Sequence, residues 1–342
     1  MNTGGDASGP NNTDNYMTIL ALEDGLTASL SDNACQYCVD GDGNWIDLPA
    51  GTTTQSINQG QTLSFRGNLT PNSSKGIGTF TINKKCNLEG NCMSMLFGDD
   101  AANNNSLSGK NYAFSYLFNR CTTIIQVSES FLPATTLASG CYRNMFYNCK
   151  SLTAAPSILP ATTLVDNCYA YMFYGCSSLT TAPELPATAL AEYCYRSMFN
   201  GCTSLTTAPE LPATTLASYC YQYMFQGCSR LTTAPSILPA TTLADSCYYY
   251  MFRGCTNLTT APELPATTLA SNCYYRMFSG CTKLNYIKML ATDISASSCL
   301  YNWVSDVASI GTFVKNPAMT SLPTGNSGIP SGWTVMDDTG GR

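Results

Sequence analysis

From residue 132 onward the apolar positions recur in a block of 26 or 27 residues, copied six times from Leu132, Leu159, Leu185, Leu211, Leu238 and Leu264. Each copy reads close to L-P-A-T-T-L-A-x-x-C-Y-x-x-M-F-x-G-C-x-x-L-T-T-A-P-E. In the copy that begins at Leu185, the apolar residues Leu190, Cys194, Met198 and Cys202 follow at steps of four, with Tyr195 and Phe199 beside them. This spacing predicts the inner stripe of a short helix. Pro186 turns the chain, and Thr188 is placed to cap the helix N-terminus. Gly201 stands in a slot shared by Gly175, Gly227, Gly254, Gly280 and once Asn148. Gly and Asn tolerate the left-handed conformation that ends a helix. Leu205 opens a short extended piece, cut off at Pro209. The unit is therefore expected to be a short helix, a tight turn and a very short strand, and a fixed period of this size marks a solenoid.

Before residue 92 the pattern changes to short apolar–polar alternation. Runs at 17–22 and 26–31 flank Glu23-Asp24-Gly25 and predict a hairpin. Further runs lie at 36–39, 45–48, 62–66 and 78–83, with a turn at D-G-D-G-N, 40–44. Six short strands at this spacing suggest a small antiparallel sandwich over 17–91, after a flexible tail at 1–16. Its role is either to fix the solenoid to a larger structure or to cap it. The array is placed at 92–292, with 112–121 a degenerate first coil and 92–97 an earlier half-coil. Cys299 lies 26 residues after Cys273, with Trp303 and Val304 in place of the Met-Phe pair. Residues 293–342 are assigned to a C-terminal cap, its last part folding back on the array. The expected class is an α/β repeat solenoid, leucine-rich-repeat-like, preceded by a small all-β sandwich-like domain.

F-x-G-C-x-x-L followed by an extended piece and L-P resembles the BspA-type (Treponema-type) leucine-rich repeat of bacterial surface proteins, common in Bacteroides and its relatives. The resemblance covers 92–291 and rests on about seven positions that recur together in each copy. It implies a leucine-rich-repeat fold and attachment to host proteins and other cells. The departures are a longer unit and T-T-A-P where the family has β-branched strand residues. They predict a ragged concave sheet, more regular only in the outer coils at 124–127 and 286–290.

Composition narrows the function. Charged residues are 11% of the chain, against about 25% in an average domain, so Ser, Thr, Asn and Tyr must build much of the surface. A net charge of −6 argues against a nucleic-acid partner, and no apolar run suits a membrane span. Residues 1–15 lack the basic start and apolar stretch of an export signal. The expectation is a removed signal or another way out of the cell, for instance inside a virus particle. Asn11, Asn68 and Asn72 stand in N-x-Ser/Thr sequons.

There is no histidine, which removes the usual general base and the commonest metal ligand. Glu184, Glu210 and Glu263 share one slot, with Ser157 and Ser236 replacing them in the 27-residue copies. That is a broken row rather than a converging pair, and it argues against an enzyme. Of 18 cysteines, fourteen form two series of seven, one beginning at Cys141 and one at Cys121. Stacked about 5 Å apart, they read as ladders of buried free thiols, although spacing alone does not forbid disulfides. Cys35-x-x-Cys38 with Cys86 and Cys92 is only a faint four-Cys zinc pattern. Neither cofactor nor metal is expected.

The positions that vary between copies carry the functional signal. In the Leu185 copy they are Glu192, Tyr193, Arg196, Ser197, Asn200 and Ser204, of which the first five lie opposite the apolar stripe. Drift on a solvated face favours Lys, Glu, Ala and Gln. The 36 such slots instead hold nine Tyr, nine Ser, five Asn and five Arg, with one Lys and one Glu. This composition resembles a paratope, in which Tyr supplies contact area and Ser and Asn supply adaptable hydrogen bonds. The candidate ligand-binding residues are Tyr147, Tyr171, Tyr174, Tyr193, Arg196 and Tyr219, continued by Tyr223, Tyr249, Tyr250, Arg253, Tyr275 and Arg276. They point to a non-catalytic adhesion protein of a bacterial surface or a phage virion, binding a host or neighbouring-cell surface protein or glycan. The Thr-Ala-Pro concave face is the alternative site, suited to a repetitive glycan. The alternative functions are a structural protein assembling end to end into fibres, or a phage tail receptor-binding protein.

Overall fold

The computed structural model describes residues 15–72 and 75–340. The tail at 1–16 and the sequon at Asn11 therefore lie outside the described residues, except for Asn15 and Tyr16. Tyr16 packs edge-on against Trp45 at 4.9 Å and donates its hydroxyl to Asp99.

The N-terminal strands are β1 (Met17–Ala21), β2 (Ala28–Leu30), β3 (Cys35–Val39), β4 (Ile46–Leu48), β5 (Thr62–Arg66), β6 (Phe80–Ile82) and β7 (Cys86–Glu89). Five of them join β8 (Ile124–Val127) in a six-stranded sheet of order β4-β3-β5-β1-β7-β8, while β2 pairs with β6 in a second sheet. The expected hairpin of the first two strands does not form. Glu23-Asp24-Gly25 does turn the chain, with φ +79° at Gly25. Beyond it, Gly25 and Leu26 bond to Ile57 and β2 crosses to β6. The reason is burial. β1 is almost wholly enclosed and takes antiparallel partners on both edges, β5 and β7, which leaves no edge for β2. β7, which the alternation pattern missed, pairs in parallel with β8 of the first coil. The stacked rings of Phe80 and Phe118, 5.7 Å apart, join the N-terminal segment to the array through one continuous core.

The largest departure lies inside each coil. Where a helix was expected, the chain forms a ribbon of overlapping turns. In the coil from Gly140 to Cys149, alternate residues (Cys141, Arg143, Met145, Tyr147, Cys149) donate N–H to the carbonyl three residues back. The residues between them, Tyr142, Asn144, Phe146 and Asn148, donate to Cys168, Ala170, Met172 and Tyr174 of the next coil, at 2.6–3.0 Å. Every fourth residue is left-handed: Gly140 at φ +62°, Asn144 at +56° and Asn148 at +57°. Thr188 has no helix to cap; its carbonyl accepts the N–H groups of Thr214 and Thr215 instead. The only α-helical turn among the described residues is α1 (Ser94–Phe97).

The ribbon's two inward positions in every four bury Cys, Tyr, Met and Phe at 0–1% exposure coil after coil. Tyr142, Tyr169, Tyr195, Tyr221, Tyr248 and Tyr274 stack at 5.7–5.9 Å, and a parallel Phe column runs beside them. On the strand side the central coils make only isolated bridges such as Thr207 with Thr233. Regular strands appear at β8 and at β9 (Tyr286–Met289). The C-terminal segment does not fold back. β10 (Thr312–Lys315) and β11 (Thr334–Asp337) extend the array in parallel, in the order β11-β10-β9, with Phe313 fully buried against Ile287 in register. Further winding covers the apolar face that the last coil would otherwise leave open.

Candidate recognition surface

The variable positions point outward from the turn ribbon, not from a helix. Of the candidate residues, Tyr171, Tyr193, Tyr219, Tyr223, Tyr250 and Arg276 occupy left-handed slots, with φ between +48° and +59°. A bulky residue there costs about 1–2 kcal/mol, so the ring contacts that hold these side chains matter to the backbone as well as to the surface.

The structure gathers the twelve candidates into two clusters. In the first, Tyr147 stacks on Tyr174 at 4.7 Å and Tyr171 tilts against Tyr174. The Arg196 guanidinium then lies 5.5 Å from the Tyr171 ring and 5.2 Å from that of Tyr193, which stacks on Tyr219 at 4.9 Å. In the second, Tyr223, Tyr249, Tyr250 and Tyr275 pack mutually at 4.6–5.6 Å. Arg253 and Arg276 lie over Tyr250. Sequence reasoning missed Tyr301, which extends this column at 4.8 Å from Tyr275 and is 43% exposed. Its position in the coil of Cys299, matching Tyr275 26 residues earlier, was the available signal.

The stacking alters what the surface offers. Rings 4.7–4.9 Å apart and within 22° of parallel face along the array axis. Each contact takes up one face of either ring, so what a partner meets is ring edges and the faces at the ends of each stack. Burial raises the hydroxyl pKa of Tyr174, Tyr193, Tyr223 and Tyr249 above the usual tyrosine value. At neutral pH they are hydrogen-bond donors as well as acceptors.

All 18 cysteines are free and buried. Each thiol of the turn series from Cys149 to Cys281 donates to the carbonyl of the preceding coil's Phe, as Cys149 does to Phe118 at 3.1 Å and Cys281 to Phe252 at 3.0 Å. Burial lifts these thiols, Cys228 to about 12, which keeps them protonated and unreactive. Cys35 and Cys38 on β3 are separated from Cys86 on β7 by two intervening strands, about 14 Å at the usual strand spacing. No group of three or more His, Cys, Asp or Glu among the described residues is placed to hold a metal.

The recurrent acidic slot is structural in part. Glu129 accepts both the N–H and the hydroxyl of Ser157, and Glu210 those of Ser236. Glu184 and Glu210 also line a cavity of about 480 Å³ with Ala182, Pro186, Ala208 and Pro212, between the two adjacent 26-residue copies. A second cavity, about 330 Å³, opens on the outer face over the first three coils, beside Arg120, Arg143, Tyr147 and Tyr171.

No helix among the described residues is long and apolar enough to cross a membrane. No curated protein matches the chain. A solved leucine-rich repeat protein from Bacteroides ovatus is similar at 12% identity, over 65% of this chain and 77% of that one, with a TM-score of 0.19. The BspA type leucine rich repeat region matches in six copies at residues 112–231, 139–285 and 238–312. Those segments join into one stretch from 112 to 312, more than half of the sequence, and the chain belongs to the BspA-type leucine-rich repeat family.

Proposed function

We propose that this protein is a non-catalytic adhesion protein that binds a host or neighbouring-cell surface protein or glycan through the outer ribbon face. Repeats of this family are generally binding scaffolds of surface-associated proteins rather than enzymes. The observation that carries the reading is the pair of aromatic–arginine clusters on a rigid array. Tyr and Arg dominate binding hot spots, and a row of similar coils lets many weak contacts act together. The reading places the protein on a bacterial surface, with a phage virion as the alternative.

The test is an array of matrix proteins and glycans probed with the wild type and with a variant carrying Tyr193→Ser, Tyr219→Ser, Tyr249→Ser and Tyr275→Ser. Binding lost from a variant with an unchanged circular dichroism spectrum supports the outer face. Equal binding by both chains moves the site elsewhere. A second reading, end-to-end assembly, is favoured by β11. This terminal edge strand is exposed at all four residues, including Val335 at 44% and Met336 at 54%, and such edges pair readily. Sedimentation that shifts to larger species with concentration, and is abolished by Val335→Lys, would favour assembly.

A further inference from the structure

We infer that the N-terminal end of the outer face is a binding site for an acidic sugar residue, carboxylated or sulfated. This rests on the adhesive reading above and names a ligand class for one part of that face.

The site arises where the tyrosine column begins. Phe118, Phe146 and Phe173 stack in register, so Asn119, Tyr147 and Tyr174 occupy the same slot in successive coils. Tyr147 has one ring face on Tyr174, and among the described residues no second ring covers the other. Asn119 is too short to do so. Asn144 is likewise shorter than Tyr171, which follows it in the next slot. The shortfall leaves the cavity of about 330 Å³, at the small end of ligand pockets and suited to a single sugar ring.

The walls are cationic and rich in donors. Arg120 and Arg143 line the cavity together with Asn119, Asn144 and Tyr116. Over the seven ribbons from 112–121 to 273–281, the charged residues are Arg120, Arg143, Arg196, Arg253 and Arg276, without one Asp, Glu or Lys. The ion pairs formed among the described residues involve Arg66, Lys85, Lys288 and Lys315 and none of these five. Arg143 Nε is buried and without a hydrogen-bond partner, as are those of Arg196 and Arg276 further along the face. Asp166, Glu192 and Asp245 stand just before three of the ribbons, but none of them pairs with these arginines, so on a chain of net charge −6 the guanidinium groups of this face remain without an ion-pair partner. Such a fork pairs a carboxylate or sulfate through two parallel hydrogen bonds. The free face of Tyr147 takes the apolar C–H face of a sugar. A bare anion would leave that ring and most of the cavity unused, and an acidic peptide would leave the ring face open.

Calorimetric titration of the full chain with sialyllactose, a heparin-derived disaccharide, lactose and tetraglutamate tests the assignment. An acidic saccharide should bind one to a chain. Which of the two binds separates carboxylate from sulfate. Arg143→Gln should weaken binding about tenfold or more, as loss of a charge-assisted hydrogen bond does. Arg120→Asn, which keeps a residue tolerant of φ +60°, should act similarly. Tyr147→Asn should weaken binding several-fold, and Arg230→Gln, a charge-matched change three coils away, should leave it within about twofold. An unchanged thermal melt excludes misfolding. Acidic saccharides that bind no better than lactose or tetraglutamate, or that are indifferent to Arg143→Gln, overturn the proposal. A matrix protein captured through the central tyrosines while no acidic sugar binds would overturn this site and leave the adhesive reading standing.

Discussion

At the scale of single residues, left-handed backbone decides what each coil becomes. The glycine slot was legible, because Gly175, Gly201, Gly227, Gly254 and Gly280 share it, and all five have φ between +69° and +76°. The other two left-handed slots of each coil were hidden behind Asn, Ser, Tyr and Arg, as at Asn144, Ser197, Tyr223 and Arg276. The strict step of four was the overlooked signal. At 3.6 residues per turn, each step of four slips by about 40°, so three such steps carry a helical stripe about 120° round the axis. Three equal steps of four match a four-residue repeat more closely than a helix, and it was Tyr195 and Phe199, three residues before Met198 and Cys202, that filled in a helical face. Ser246, buried and at φ +55°, gives a test whose sign inverts between the two structures. In a helix, Ser246→Ala would be about 1 kcal/mol more stable than Ser246→Gly. At this φ the order should reverse by about 1–2 kcal/mol in favour of glycine, read from denaturant unfolding.

At the scale of the element, the ribbon satisfies half of its backbone only through its neighbour. A helix closes its own hydrogen bonds, whereas Tyr142, Asn144 and Phe146 need the carbonyls of the next coil. A periodicity read within one copy cannot reveal a bond that is made between copies. The cysteine ladders follow the same logic, because the Cys228 thiol bonds the Phe199 carbonyl one coil away, at 3.1 Å. Burial pushes Cys141 and Cys220 from the ordinary 9.0 to about 12. The folded state therefore holds protons that the unfolded chain gives up first. Stability should be level below pH 9 and should fall as pH rises from 9 toward 12, since the unfolded state binds fewer protons in that window. Unfolding titrations across the range check this, and Cys141→Ala with Cys220→Ala should reduce the slope by the share of those two thiols, the other buried cysteines keeping the rest. Stability that is constant to pH 12 would refute it. The missing β1–β2 hairpin has a similar origin: the turn is local, but the partner was chosen by β5 and β7.

At the scale of the molecule, each coil touches only its neighbours, and the stack must be closed at its ends. Trp303, fully buried, ends both aromatic columns, 6.2 Å from Tyr274 and 6.0 Å from Phe278, with its indole N–H donated to the Gly328 carbonyl. Trp303→Ala should cost about 3–5 kcal/mol. The loss should be local in hydrogen exchange, with amides of the last coils and β10–β11 unprotected while those near Phe146 and Phe173 stay protected. Uniform loss of protection would show that the array unfolds as one unit rather than coil by coil.

The candidate surface was legible in composition, because Tyr and Arg stand where drift would place Lys and Glu. The shape of that surface was not. Ring faces turned toward each other, the Arg196 contact that bridges Tyr171 and Tyr193, and the cavity before Tyr147 all depend on which slots fall beside one another. The repeat, its period, the buried Cys-Tyr-Met-Phe set and the family could be read from residue order alone, because each recurs along the chain at fixed spacing. Tertiary structure alone decided the ribbon in place of a helix, the pairing of β1, the onward winding of the C-terminal segment and the clefts of the outer face. Those features rest on hydrogen bonds and stacking between residues distant in sequence, about 26 positions apart within the array and 42 to 71 apart for β1, and such contacts exist only once the chain has settled on itself.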